Sequence, residues 1–170
     1  MIEIFILSLI QGITEFLPIS SSSHLIIFSN YTKFENQSLG IDVSLHIGSF
    51  LAVITYFHKD LIDFFRKKDL FFKIFIASLP IMFFGFFLVQ TNFIEKLRNI
   101  EVIGWATLIF GILLYVSDRY KLEKTISNNF NYKSSIIIGV FQLLSLVPGV
   151  SRSGISITAA RFLNFKRFDA

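Results

Sequence analysis

The chain alternates long apolar runs with short polar breaks. Three of the runs read as full transmembrane helices, from about Val43 to Phe57, from Leu70 to Val89 and from about Val102 to Ser117. The second carries one charge, Lys73, near an end from which its ammonium can reach the interface. Its Pro80 would kink a spanning helix without forbidding it. Two other runs are interrupted. Ile4 to Leu17 meets Pro18 and the serines Ser20 to Ser23, then His24 and apolar residues to Tyr31. Ser135 to Val147 meets Pro148-Gly149-Val150-Ser151-Arg152-Ser153-Gly154, then apolar residues to Phe162. Each half is too short to span comfortably, so each pair reads as a hairpin that enters the membrane and turns back, over 4–31 and 135–165. Broken backbone at membrane depth survives only where protein or a water-filled cavity surrounds it. Both breaks are therefore candidate sites.

The breaks resemble each other. Gln11 leads into Phe16-Leu17-Pro18-Ile19-Ser20-Ser21, and Gln142 into Leu146-Val147-Pro148-Gly149-Val150-Ser151. Corresponding interrupted segments point to an internal repeat with a site at its interface. The first repeat covers about 1–117 and an incomplete second about 134–170, within a single membrane domain. Lys59, Arg66, Lys67 and Lys68 crowd the loop from His58 to Asp69, and Arg119, Lys121, Lys124 and Lys133 the loop from Asp118 to Ser134. The alternate loops hold Lys33 alone, and Lys96 with Arg98. Three intervening spans place both rich loops on the cytoplasmic side. The hairpins are then inverted, with tips able to meet in mid-membrane. The expected fold is all-α and integral to the membrane: an inverted-repeat bundle with two re-entrant helical hairpins and about three full transmembrane helices.

Composition strengthens the membrane assignment. Of 170 residues, 53% are hydrophobic and 16% charged, with 22 phenylalanines and a mean hydropathy of +0.64. A soluble domain of this size could not hide so much apolar side chain. The net charge of +4 sits in loop clusters rather than along an aromatic-basic face, which argues against nucleic acid as a partner. With no cysteine, thiol and disulfide chemistry is excluded. The amino terminus lacks a basic lead-in and carries Glu15 within its apolar stretch, so it reads as mature structure rather than a cleaved signal.

The chemistry lies at the breaks. Glu15 is the carboxylate of the first hairpin, and Gln11 stands one helical turn earlier on the same face. Ionisable groups in membrane segments usually face a cavity or a partner, although pairing with a structural arginine would serve equally. Taken singly, Ser20, Ser21, Ser22 and Ser23 are turn or cap residues, and a lone His24 is a packing residue. Taken together with Glu15 they supply hydroxyls, a carboxylate and an imidazole suited to phosphate chemistry. Arg152 follows eighteen uncharged residues from Ser134 and is flanked by Ser151 and Ser153 at a helix start, where backbone N–H groups and a guanidinium bind anions. The two breaks combined have the parts of a phosphoryl-transfer site. Asp42, His46, Glu101 and Trp105 read as structural.

Gln11-Gly-Ile-Thr-Glu15-Phe-Leu-Pro18-Ile-Ser20-Ser21-Ser22-Ser23-His24 resembles the first motif of the undecaprenyl-diphosphate phosphatases, the bacitracin-resistance family, and Pro148-Gly149-Val150-Ser151-Arg152-Ser153-Gly154 resembles the second. The resemblance covers the whole chain. It implies a multi-pass enzyme of the bacterial inner membrane that converts undecaprenyl diphosphate to the monophosphate. Such an enzyme recycles the carrier lipid for cell-wall synthesis, from a site open to the periplasm. By position it makes Glu15 a base or metal ligand with Gln11 beside it, Ser21 or another hydroxyl the nucleophile or a phosphate donor, His24 an acid/base group and Arg152 the phosphate clamp. Gln11, Ser20, Ser22, Gly149, Ser151, Ser153 and Ser156 would line the substrate, with Gln11 a second metal ligand beside Glu15. A divalent cation, Mg2+ or Ca2+, would assist. The chain departs from the family pattern at Ser23, usually glycine, and at Ser156, where a threonine is usual and Thr158 follows. Family members continue with further transmembrane helices, so the chain is expected to be shortened at its carboxy terminus. A homodimer could restore some of the packing.

Inverted repeats with broken helices also build transporters, so a polyprenyl-phosphate flippase is the rival expectation. The pairing of Glu15 with His24 speaks for hydrolysis, since binding alone does not need it. An inactive remnant is a third reading, on the shortened length alone.

Overall fold

The computed structural model describes residues 2–34, 38–91, 96–119 and 123–170. Among them regular structure is helical, apart from a β-bridge between Lys124 and Phe165. Helix α1 (Ile2–Thr14) and α2 (Ser21–Thr32) form the first hairpin. Pro18 cannot continue a helix and biases its predecessor toward extended backbone, so the chain turns there. It resumes after Ser20, whose extended backbone (φ −79°, ψ 104°) marks the start of α2. Helix α3 (Leu39–Tyr56) is capped by Ser38, whose hydroxyl accepts from the Ile41 amide at 3.4 Å. The expected span from Val43 therefore begins earlier.

The segment from His58 to Asp69, expected as a loop, is helical over α4 (His58–Arg66) and turns 77° from α3 at Phe57. Leu61, Ile62, Phe64 and Phe65 occupy one side of this short helix, and Lys59, Asp60, Asp63 and Arg66 the other. The loop expectation followed the density of charge and missed that spacing. Helix α5 (Lys68–Gln90) carries Pro80, and α6 (Ile100–Asp118) is capped by Asn99, which accepts from Val102 N at 2.9 Å. These two helices are each long and apolar enough to cross a membrane. Helices α3 and α4 meet that test only together, as a bent pair. The chain is thus an all-helical integral membrane protein with two or three spans among its described residues.

A helical turn at Ile126–Asn129 precedes the second interrupted segment. There α7 (Tyr132–Gln142) tightens into a 3-10 turn at Leu143–Leu146, breaks at Pro148-Gly149, and resumes as α8 (Arg152–Phe162). Lys121, one of the cytoplasmic loop charges expected from sequence, lies outside the described residues.

Two small cores lie behind the two breaks. Leu7, Leu25 and Phe34 pack with Ile10, Phe28, Ile41 and Leu45 behind the first. Ala106, Val150 and Ile155 pack with Phe110, Leu113, Phe141 and Val147 behind the second. Elsewhere large side chains face outward: Phe72, Met82, Phe83 and Phe86 on α5 are each more than half exposed. Lipid, rather than protein, solvates that surface. Where helices do meet they use small residues. A side-chain carbon on Gly139 of α7 would come within 2.4 Å of the Ala77 carbonyl oxygen of α5. Gly149 has φ +103° and lies so near α6 that a Cβ would sit 2.7 Å from the Ile103 carbonyl oxygen.

At the C-terminal end of α6, Arg161 is buried, 3.2 Å from Asp118, and donates to the Phe165 carbonyl oxygen at 3.1 Å. Arg167 also pairs with Asp118. This cluster ties the end of the second hairpin to α6. Lys73 reaches Asp69 at 2.5 Å and the Phe130 carbonyl at 2.8 Å, which fixes the end of α5.

Candidate functional site

The two breaks touch. A Cβ on Gly154, in the first turn of α8, would sit 2.9 Å from the Pro18 carbonyl oxygen. Between and beside them opens a cavity of about 1160 Å³, lined from the first break by Glu15 and Ser20 to Ser23, and from the second by Pro148 and Ser151 to Ser153 with Ser156. Asp42, His46 and Arg98 extend its polar wall, with Ser78, Gln142 and Ser145. Helices α2 and α8 both begin here. Their first-turn amides and the guanidinium of Arg152 therefore border one space, which suits an anion with several oxygens. Ser151 caps α8, accepting from Gly154 N at 3.1 Å, and its hydroxyl lies 3.0 Å from that of Ser153.

Glu15 organises the first break. One carboxylate oxygen, Oε2, accepts from the Ser21 hydroxyl at 2.6 Å and from Gln11 Nε2 at 3.0 Å. The i, i+4 spacing of Gln11 and Glu15 produces the second of these contacts. Gln11 is buried behind Glu15, outside the cavity wall, and also donates to Ser49 at 3.4 Å. Its Oε1 is buried without a hydrogen-bond partner among the described residues. Ser20 and Ser23 share a 2.8 Å hydrogen bond.

Gln11, expected at the substrate, is thus kept from it by Glu15, and the positions of two further residues differ from what sequence suggested. His24 does not line the cavity; its Nδ1 lies 2.7 Å from the Ser20 carbonyl oxygen, a contact within its own helix. The imidazole beside the carboxylate is that of His46, with Nε2 3.7 Å from Glu15 Oε2 and Nδ1 2.8 Å from the Asp42 carbonyl oxygen. Gly149, expected at the substrate, is buried against α6 and supports the break from behind. Asp42 is buried and pairs with Arg98 at 3.3 Å. Sequence reasoning left Asp42 and His46 as structural and counted Arg98 only as a loop charge. The available signal was the four-residue spacing of Asp42 and His46 on one helix face; nothing in the pattern pointed to Arg98.

Among the described residues no three carboxylates or imidazoles gather to cage a metal ion. The oxygen-bearing side chains that border the cavity at the first break are the Glu15 carboxylate and the serines Ser20 to Ser23, whereas the unpartnered Gln11 amide oxygen is buried behind them. That hard-donor set suits Mg2+ or Ca2+ held by one carboxylate, with substrate phosphate and water completing the shell.

The sequence model of a family described as bacitracin resistance protein BacA matches residues 4–170. A protein of Pelagibacter ubique named undecaprenyl-diphosphatase is 51% identical over 170 residues, covering 99% of this chain and 66% of that relative. Proteins of the same name from a Jannaschia species and from Saccharophagus degradans are 44% and 42% identical, over 98% and 96% of this chain. The chain spans about two thirds of the length of these curated relatives.

Proposed function

The chain belongs to the bacitracin resistance protein BacA family, and from that premise we propose that it hydrolyses undecaprenyl diphosphate to undecaprenyl phosphate and inorganic phosphate. The observation that carries the reading is the Ser21 hydroxyl donating to Glu15 at 2.6 Å within a cavity that also holds Arg152. A carboxylate so placed can take the hydroxyl proton as the oxygen attacks. Ser21 Oγ bonds to the terminal phosphorus, the bridging P–O bond breaks, and the lipid leaves as its monophosphate. Glu15 passes the hydroxyl proton to solvent; water then attacks the phosphoserine and gives a proton to Glu15, the Ser21 Oγ–P bond breaks, and Glu15 returns the proton to Ser21 Oγ as inorganic phosphate departs. Arg152 and the first-turn amides of α2 and α8 hold the phosphoryl oxygens as charge redistributes among them. Gln11 keeps the carboxylate turned toward Ser21. Glu15 is the residue that would hold a divalent cation, which would supply neutralisation of part of the diphosphate charge.

In this reading the polar cavity takes the headgroup and the polyprenyl chain stays in the bilayer against the exposed apolar helices. The protein sits in the bacterial inner membrane with the cavity open to the periplasmic side, since the basic residues of the α4–α5 and α6–α7 connections favour the cytoplasm. Release of undecaprenyl phosphate returns carrier lipid to cell-wall synthesis and lessens sensitivity to bacitracin.

The test is phosphate release from undecaprenyl diphosphate in detergent, with Mg2+ and again with EDTA. Glu15→Gln, Ser21→Ala and Arg152→Gln should each lower kcat/KM by about 100-fold or more while the fold persists. EDTA should lower the rate as well. A folded wild-type chain that releases no phosphate would exclude hydrolysis by this chain; binding without release would favour a carrier.

A further inference from the structure

The reading above uses Arg152 as the cation of the site, yet a second guanidinium faces the same cavity. Arg98 lines it, with its side chain about one-third exposed (32%). Its Nη2 donates to Asp42 Oδ2 at 3.3 Å, and Asp42 is itself nearly buried, so the arginine is held in place rather than free to swing with solvent. A guanidinium carries five N–H donors, and one carboxylate contact leaves others for an anion. The level of Arg98 is fixed by α3. Asp42 lies one turn from His46, about 6 Å along the axis, and His46 stands beside Glu15. Arg98 therefore sits one helical turn away from the Glu15–Ser21 pair, toward the end of α3 at which the chain enters. Its remaining N–H groups belong to a side chain that borders the same cavity at a different level from that pair, and a two-phosphate headgroup is long enough to meet both levels.

Resting on that proposed activity, we propose that Arg98, anchored by Asp42, binds the second phosphate of the lipid diphosphate and makes the site prefer diphosphates over monophosphates. Substrate then engages two cations at two levels of the cavity. A lipid monophosphate offered alone seats its one phosphate against Arg152 and the first-turn amides of α2 and α8, so it engages one cation where the diphosphate engages two. Asp42 is the positioning residue: it fixes the arginine without touching the lipid.

The experiment measures the dissociation constants of farnesyl diphosphate and farnesyl monophosphate for the purified chain in detergent, alongside phosphate release. Wild type, Arg98→Gln, Arg98→Lys and Asp42→Asn are compared, and their thermal unfolding is recorded. Wild type should bind the diphosphate more tightly than the monophosphate. Arg98→Gln should weaken diphosphate binding about tenfold or more and leave monophosphate binding near wild type. Arg98→Lys should recover part of the preference, since it keeps the charge and loses the fork. Asp42→Asn should reduce the preference less than Arg98→Gln does. A purely structural ion pair would lower the unfolding temperature in both Arg98→Gln and Asp42→Asn while the ratio of the two constants stayed fixed, and that result overturns the proposal. If wild type binds the diphosphate without releasing phosphate, hydrolysis fails and the ratio still judges Arg98. If wild type binds neither ligand, both readings fall.

Discussion

Gly154 is where the two breaks meet, and it offers a graded test of whether their contact matters for chemistry. An alanine methyl there would sit 2.9 Å from the Pro18 carbonyl oxygen and 3.1 Å from Ser151 Cβ. Neither neighbour is the loose end of a flexible side chain, so backbone must shift by several tenths of an ångström. Overpacking of this kind destabilises by about 1–3 kcal/mol. The larger effect should be on rate. The displaced groups are the turn that presents Ser20 and Ser21 and the cap that presents Arg152, and misplacement of reacting groups by about 1 Å can lower rates about 100-fold. Two other glycines separate crowding from chemistry. Gly139→Ala would crowd the Ala77 backbone at 2.4 Å, where α7 packs on α5 and not where the two breaks meet, and Gly12→Ala meets nothing within 4 Å. The assay is kcat/KM for lipid-diphosphate hydrolysis beside thermal unfolding in the same detergent. Gly154→Ala should lose at least tenfold more activity than its lost stability explains. Gly139→Ala should lose stability chiefly, and Gly12→Ala should match or slightly exceed wild-type stability, as helical alanine does. Wild-type kcat/KM in a folded Gly154→Ala protein would refute the idea that the breaks act as one unit.

Two further substitutions address stability. Gly149→Ala combines a left-handed backbone angle with a methyl 2.7 Å from the Ile103 carbonyl oxygen, and should destabilise by several kcal/mol, about as much as a severe core substitution, read as loss of folded protein on size exclusion. Asp118→Asn removes the carboxylate that faces buried Arg161 and should lower the unfolding temperature by several degrees; unchanged unfolding would mean that the surrounding carbonyl acceptors suffice for the arginine.

Much of this arrangement was legible because proline, glycine and serine punctuate the apolar runs. Pro18 and Pro148 mark turns by mechanism rather than by statistics, and the structure breaks both segments there. The long runs of α5 and α6 were readable from hydropathy, and their first residues, Lys68 and Ile100, each lie two residues before the expected limits. Helix α4 was hidden because its charges and aromatics are mixed along nine residues and separate only when wound at helical pitch. The polar wall of the cavity was hidden for a different reason. His46 meets Glu15, and Arg98 meets Asp42 across 56 positions. Neither pairing leaves a local trace, since each depends on how α3 lies against the first hairpin and on where α6 begins. His24 and His46 are equally plausible by residue type; only the packing of α3 decides which imidazole stands beside the carboxylate.

The bend at Phe57 bears on where in the bilayer all of this happens. A short helix with four apolar side chains on one side, leaving its neighbour at 77°, can rest along the boundary between headgroups and hydrocarbon with its charges in water. It then works as a float for α3. Because α3 is rigid from Leu39 to Tyr56, the float line fixes the height of His46 and Asp42, and through Arg98 and Glu15 the height of the cavity. A headgroup anchored in the membrane by a long hydrocarbon tail has little freedom to rise or sink. Under the proposed activity the protein must keep its own waterline to meet such a headgroup, and the kink between α3 and α4 supplies one.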